Sequence, residues 1–570
     1  MNKQTAHLLE QHFDTAFSAP NGIQKLRELI LTLAMQGKLV PQEPRDAPVS
    51  QLLKGIEAEK RRLVKEGKIK APKPLPEITS SDAPYALPQG WQWVRLGSVG
   101  NIFNGNSINA SEKETKYAGA KGLPYIATKD VGYGFDPLDY ENGICIPVDE
   151  DKFRVAHKDA VLICAEGGSA GKKCGLTDRD ICFGNKLFAN ELYGQIPSRF
   201  ILYAYLSPVF RASFAAAMTG IIGGVSIAKF VEIPVPLPPL AEQHRIVAKI
   251  DQLMARCDAL ENLRNAREEK RLAIHAAALS QLLDITGNGG SGDAWAFITQ
   301  HFGDLYAVKE NVAELRKAIL QLAVMGKLVP QDTNDPPASE LLKDIEAEKK
   351  RLVKDGTIRG TRGRGDAKEL TPDEIPNPLP KGWQWVRLSS VFVTSSGNTF
   401  DATLEKETGA FAYVKVGDMN LLGNELIITT SSRFIDPDEK MSRALIPAGS
   451  IIFPKRGGAI ATNKKRIVCN PIFVDLNTMA ITPIQGVVID YAYLWLLTID
   501  LATLNTGTSV PQINHQDIDP LPFPLPPQPE QHRIVAKVDQ LMGLCDTLEE
   551  RITAATGVQT ELLNAVMAQV

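Results

Sequence analysis

Leu237-Pro238-Pro239-Leu240-Ala241-Glu242-Gln243-His244-Arg245-Ile246-Val247-Ala248-Lys249 decides the fold, because the chain carries it again as Leu525-Pro526-Pro527-Gln528-Pro529-Glu530-Gln531-His532-Arg533-Ile534-Val535-Ala536-Lys537. Two further stretches repeat in step with it. Gly37-Lys38-Leu39-Val40-Pro41-Gln42 returns as Gly326-Lys327-Leu328-Val329-Pro330-Gln331, and Gly90-Trp91-Gln92-Trp93-Val94-Arg95-Leu96 returns as Gly382-Trp383-Gln384-Trp385-Val386-Arg387-Leu388. A period this long is not that of a solenoid, whose repeats run to roughly 20–50 residues. It marks a duplicated multi-domain unit, a pseudo-twofold tandem of the kind that suits a target with two halves.

Beyond each Glu-Gln-His-Arg-Ile-Val the apolar residues keep heptad spacing. They are Ile246, Ile250, Leu253, Cys257 and Leu260 in the first copy, and Ile534, Val538, Leu541, Cys545, Leu548 and Ile552 in the second. The first helix is expected from Ala241 to about Leu283, spanning about 65 Å. That length can hold two modules one DNA turn, about 34 Å, apart. The stripes are narrow, so the simplest arrangement is an antiparallel coiled coil of the two helices. The alternative is that each packs on its own globular block.

Upstream, Leu26, Leu29, Ile30, Leu33 and Ala34 mark an amphipathic helix, matched by Leu315, Ala318, Ile319, Leu322 and Ala323. A second helix, Leu52 to Lys60, is matched by Leu341 to Lys349. Extended linkers follow, Ala71 to Pro76 and Arg359 to Gly365. Between the Trp-rich and Pro-rich motifs lies a block of short β-like runs such as Ala160 to Cys164 and Ser450 to Phe453. The expected class is α+β, with two globular domains of small β-sheets and helices joined by the two long helices. The expected boundaries are a helical region over 1–80, a globular domain over 85–238 and a central spacer helix over 240–284. A second helical region and linker (295–372), a second globular domain (378–527) and a C-terminal spacer helix (528–570) complete the chain.

Over 570 residues the formal net charge is −3. This argues against binding nucleic acid alone through one broad basic face, and leaves room for local basic loops or basic partners. Seven cysteines without a C-x-x-C pair point to a reducing compartment with no zinc site and no disulfide framework. Cys257 and Cys545 hold equivalent apolar positions and are expected in the core. No apolar run follows Met1, and Tyr491 to Ile499 is too short to span a bilayer. A cytoplasmic location without membrane contact is the default.

Candidate binding residues cluster in matched loops. Lys172 and Lys173 close a Gly-rich loop from Gly167, and its counterpart carries Lys455, Arg456, Asn463, Lys464, Lys465 and Arg466. Clustered Lys and Arg neutralise phosphates and can read guanine; the competing reading is a solvated basic hairpin. The first loop is no P-loop, because Glu166 replaces the first glycine and Lys173 the Ser or Thr. Asn106 and Ser107, matched by Asn398 and Thr399, suit base or phosphate contact, or simply a turn. Lys129 and Lys415 end matched strand-like runs. Trp91, Trp93, Trp383 and Trp385 are expected as core anchors. Asn470-Pro471-Ile472-Phe473 lacks the second proline of an amino-methyltransferase motif, Asp335-Pro336-Pro337-Ala338 lacks its aromatic, and Pro437-Asp438 lacks the rest of a nuclease site. His244 and His532 have no nucleophile or metal cluster beside them. No catalytic or metal site is expected.

The Leu87 to Leu96 and Leu379 to Leu388 stretches, the Pro236 to Val247 and Pro524 to Val535 stretches, and Thr506 to Asn514 together resemble the specificity subunit of type I restriction–modification enzymes. The resemblance covers nearly the whole chain. It departs at Thr219 to Ile227, which lacks the Pro-Gln-Ile-Asn of the second copy and leaves that loop's conformation open. It implies two target recognition domains, each reading half of a bipartite double-stranded DNA site. It also implies two modification subunits that bind S-adenosylmethionine, and restriction subunits that use ATP and Mg, with no cofactor on this chain. Sameness at the borders and divergence inside the blocks agrees with exchangeable readers on a common frame. A self-contained recognition-plus-methyltransferase enzyme and a non-sequence-specific assembly scaffold are the rival classes.

Overall fold

The computed structural model describes residues 3–219, 223–284, 290–358, 369–438, 441–504 and 510–568. The linker Arg359 to Gly365, and Thr506 to Ser509 of the third shared motif, lie outside them. The chain divides into two units. One is Met1–Arg267 with Ala555–Val570, and the other is Glu268–Ala554.

In the first unit the repeated motifs meet at one junction. The strand Gln92–Arg95 pairs antiparallel with Pro234–Leu237, Val94 facing Val235. Prolines at 234 and 236 alternate with Val235 and Leu237, so the residues lacking an N–H fall at the non-bonded positions. The strand can therefore pair on one side only. This clasp closes the globular module where it begins and ends. Just outside it, the buried Glu242 carboxylate accepts the Trp91 indole N–H at 2.9 Å and the Gln42 amide at 2.6 Å. Burial pushes its carboxyl above the usual carboxylate range, against both hydrogen bonds. Arg245 forks onto Asp46 at 2.6 and 3.2 Å. Thus the Gly-Lys-Leu-Val-Pro-Gln, Gly-Trp-Gln-Trp and Glu-Gln-His-Arg motifs recur together because they are one structure.

The second unit repeats the junction. Gln384–Arg387 pairs with Pro522–Leu525. Glu530 accepts from Trp383 at 2.9 Å and from Gln331 at 2.7 Å, and Arg533 forks onto Asp335. Trp91 and Trp383 are buried and Cys257 and Cys545 lie in the cores as expected, whereas Trp93 and Trp385 are half-buried and donate their indole N–H to Tyr85 O and Asn377 O. Asp335 of the degenerate methyltransferase-like motif is this arginine's partner, and Pro337 precedes the helix Ala338–Lys354. His244 and His532 are exposed.

Inside the clasps the two divergent blocks share a topology. In the first, strands run in the order Gly100–Asn104, Leu187–Leu192, Val161–Cys164, Cys174–Leu176. In the second, Phe392–Ser396, Thr478–Pro483, Ser450–Pro454 and Arg466–Val468 repeat that order, and Ile427–Ile428 extends it. Each module has a further small sheet built on a parallel pair, Leu123–Ile126 with Ile181–Phe183 or Phe411–Val414 with Phe473–Val474. The helices Ser198–Leu206 and Ile489–Leu497 bury most of their residues in the two cores. This is where the apolar run from Tyr491 goes. No single helix among the described residues is long and apolar enough to cross a membrane.

The long helices are Leu240–Leu282 and Gln528–Ala568. Ile246, Ile250 and Cys257 share a core with Ile30 and Ala34 of the helix Gly22–Met35. Ile534, Val538 and Cys545 share a core with Ile319 and Ala323 of Lys309–Val324. The start of each heptad stripe is therefore spent within its own unit, while Leu260 is 46% exposed. Arg27 on Asp258 and Glu261, and Arg316 on Asp546 and Glu549, tie the same helices together. The far ends belong elsewhere. Ala278 and Leu279 join the second unit's core, where buried His275 bonds Tyr306 at 3.0 Å. Leu563 joins Ala16, Phe17, Ala19 and Leu29 in the first unit.

Candidate nucleic-acid interface

In each module a basic loop leaves the central strand, and the structure holds it from two sides. In the first, Gly167 N donates to Gly223 O at 2.9 Å and Val225 N to Ala165 O at 3.0 Å. In the second, Gly457 N donates to Pro511 O at 2.8 Å and Ile513 N to Lys455 O at 2.9 Å. The first copy lacks Pro-Gln-Ile-Asn, yet its backbone around Gly224 pairs in the same way. Main-chain hydrogen bonds do not need the motif's side chains. Gly220 to Ile222 lie outside the described residues.

The other side of each loop is stitched to a short turn after a strand. Lys173 Nζ donates to Thr128 O at 3.2 Å. Arg466 donates to Met419 O at 3.1 Å, and Lys464 bonds Asn420. Both turns are capped by a buried aspartate. Asp130 accepts from Ala127 N and Asp418 from Lys415 N, each at 2.8 Å. The structure thus brings Lys129 together with Lys172 and Lys173, and the Lys415 turn together with the loop from Lys455 to Arg466.

The individual side chains fall into three groups. Lys172, Lys173, Arg456, Lys464 and Arg466 hydrogen-bond only neutral oxygens among the described residues. Their charge is not cancelled by a neighbouring carboxylate, so the loops carry a local positive field despite the acidic balance of the chain. Two cations are paired. Lys415 meets Glu405 at 2.8 and 2.9 Å, and Lys129 lies 3.9 Å from Asp130 while staying 70% exposed. Two point inward. Lys455 is buried and donates to Ser396 at 2.9 Å. Lys465 is 1% exposed and donates to Asn463 Oδ1 and Ile499 O, both at 2.7 Å. Burial lowers its pKa to about 8, with Asp500 opposing. Lys455 and Lys465, both candidates in the sequence for DNA contact, thus turn their ammonium groups toward the protein. Asn463 sits in the left-handed region at φ 51° and also accepts from Leu501 N, so it is a turn former.

The matched Asn loops pack alike. Asn106 N donates to Phe183 O at 2.9 Å, and Asn398 N to Val474 O at 3.0 Å. A Cβ on Gly105 would stand 1.9 Å from Phe183 O, and one on Gly397 2.0 Å from Asp475 O, which is why glycine precedes each asparagine. Asn106 Oδ1 accepts from Arg154 N at 2.9 Å, so this side chain holds a neighbouring segment. Ser107, Asn398 and Thr399 are exposed.

Two residues were not legible as candidates. Tyr133 is 57% exposed, its ring 4.9 Å from Lys173 Nζ. Exposed Lys186 accepts at its carbonyl from Ala165 N, placing it beside the first basic loop. A lone tyrosine and a lone lysine give no sequence signal; only the fold brings them to the loop. Among the described residues, no group of three or more His, Cys, Asp or Glu could hold a metal ion.

A family model described as the type I restriction modification DNA specificity domain matches residues 88–269 and 380–555. The chain is 33% identical over 568 residues to the type I restriction enzyme EcoAI specificity subunit of Escherichia coli, covering 96% of this chain and 93% of that one. It is 30% identical over 573 residues to the EcoEI specificity subunit of the same organism, with the same coverage. The crystal structure of the HsdS subunit from Thermoanaerobacter tengcongensis is 18% identical, with 85% of this chain and 99% of that one covered at a TM-score of 0.41.

Proposed function

We infer, from the premise that this chain belongs to the type I restriction–modification DNA specificity family, that it chooses the DNA site for a multisubunit complex. Each module reads one half of a bipartite double-stranded sequence, and the long helices set the gap between the halves. The observation that carries this reading is the loop pair found in both modules, a basic loop bonded to neutral oxygens and stitched to an Asp-capped turn. Lys172, Lys173, Arg456, Lys464 and Arg466 supply phosphate neutralisation and base readout, and the exposed Ser107, Asn398, Thr399 and Lys129 are further DNA contacts. Lys455, Lys465, Asn463 and Asn106 shape the loops, and Lys415 acts within its pair with Glu405.

The chemistry belongs to partners in the cytoplasm. Two modification subunits bind S-adenosylmethionine, and restriction subunits use ATP and Mg. The shared junctions and the helices beside them dock the modification subunits, one per copy. A near-neutral specificity subunit suits this division, because partners clamping the duplex supply most of the phosphate contacts.

Two measurements test the reading. Co-expression with the modification subunit, followed by mapping of methylated bases, should give a bipartite motif with a fixed gap. Exchange of the block from Ser98 to Val235 should then alter one half only; a change in both halves would sink the two-reader account. Methyl transfer to DNA by the purified chain without partners would instead identify a self-contained enzyme.

A further inference from the structure

Just beyond the Asp-capped turn, each module carries an apolar side chain standing in water. In the first it is Tyr133, 57% exposed, and in the second Leu422, 93% exposed. A single exposed apolar residue needs no explanation. Here each stands within four residues of its module's capping aspartate, Asp130 or Asp418, in modules that share a strand order, although the intervening sequences differ.

Neither side chain is exposed by slack. The Tyr133 backbone bridges to Lys173, its ring lies 4.9 Å from that ammonium, and its hydroxyl is 3.3 Å from Ser169 Oγ. Leu422 rides on a turn that the buried Asn424 holds shut. Asn424 Nδ2 donates to Asp418 O and Thr430 O, both at 2.8 Å, and its Oδ1 accepts from Thr429 N at 2.8 Å and Thr430 N at 3.1 Å. A tip held this firmly loses little freedom on binding.

The surroundings name the occupant. Lys173 touches the first tip, and Lys464 bonds Asn420 at the base of the second turn. Among the described residues both lysines hydrogen-bond neutral oxygens only. An apolar tip flanked by uncompensated cations matches duplex DNA, where phosphates border a groove whose floor includes thymine methyl groups and base edges. We propose that Tyr133 and Leu422 are specificity-determining residues that touch base edges in the groove, each in its own half-site. The proposal rests on the DNA-reading function above and adds an apolar component to it.

The test uses the complex assembled with modification subunits. Site preference is read by methylation mapping on a library with randomised half-sites, and affinity is measured over a salt series. Tyr133→Ala should lower base preference roughly tenfold at one or two positions of one half-site, and Leu422→Ala should do so in the other half. Tyr133→Phe keeps the ring and should keep the preference. The salt slope should stay unchanged in both alanine variants, because an apolar side chain releases no counterions, whereas Lys464→Ala should reduce it by about one. Both tips are exposed, so an unchanged melting temperature checks that the variants fold. Unaltered base preference, or weakened assembly with the modification subunit in its place, overturns the proposal while leaving the function intact. A wild-type complex that methylates no bipartite motif overturns the function itself, and the proposal with it.

Discussion

Lys465 shows what a residue's neighbours decide. In the run Asn463-Lys464-Lys465-Arg466 nothing separates one cation from the next. Two residues beyond the left-handed turn at Asn463, Lys465 points inward, where its ammonium donates to Asn463 Oδ1 and Ile499 O. Its folded pKa of about 8 lies below its ordinary 10.5. Between those values the unfolded chain keeps a proton that the folded chain has lost, so stability contributed through this group rises with pH across the window. Below about 8 the folded state bears the full cost of the buried charge. The difference in unfolding free energy between wild type and Lys465→Met, followed by denaturant titration, should shift in favour of wild type by up to about 3 kcal/mol across that range. A flat difference would mean that the ammonium is not desolvated. Position in the basic run was legible in the sequence; direction was not, because it depends on a backbone torsion and a carbonyl contributed from another segment.

Among the elements, the long helices were read most completely. Heptad spacing predicted a helix from Ala241 to about Leu283, and Leu240–Leu282 is observed. Their packing was less legible, since an apolar stripe shows that a face is buried without showing by what. Each helix serves its own unit first and another core last. Leu563 is 2% exposed among Ala16, Phe17, Ala19 and Leu29, far from them in sequence. Leu563→Ala should destabilise the first unit by about 2–5 kcal/mol. Hydrogen exchange should quicken in the helices Lys3–Phe17 and Gly22–Met35, with the second unit's module unchanged. Equal loss of protection in both modules would contradict the assignment of this segment to one unit.

At the scale of the whole molecule, the two units are not the two halves of the sequence. Residues up to 284 include His275, Ala278 and Leu279 of the second unit's core, and residues from 290 include Leu563 and Val566 at the other end. A chain cut between Asp284 and Gly290 should therefore stay together, its two fragments co-eluting in size-exclusion chromatography at micromolar concentration. Separate elution of two folded fragments would refute this. The sequence by itself determined the duplication, the α+β class, the long helices and the family, because periodicity and repeated motifs are local or self-similar signals. Only the tertiary structure revealed that three repeated motifs are one buried junction around Glu242 or Glu530. Only it showed that unlike loops are stitched alike, and which lysines face water. Hydrogen bonds and burial link residues far apart in the chain, and no spacing along it encodes which of them will meet.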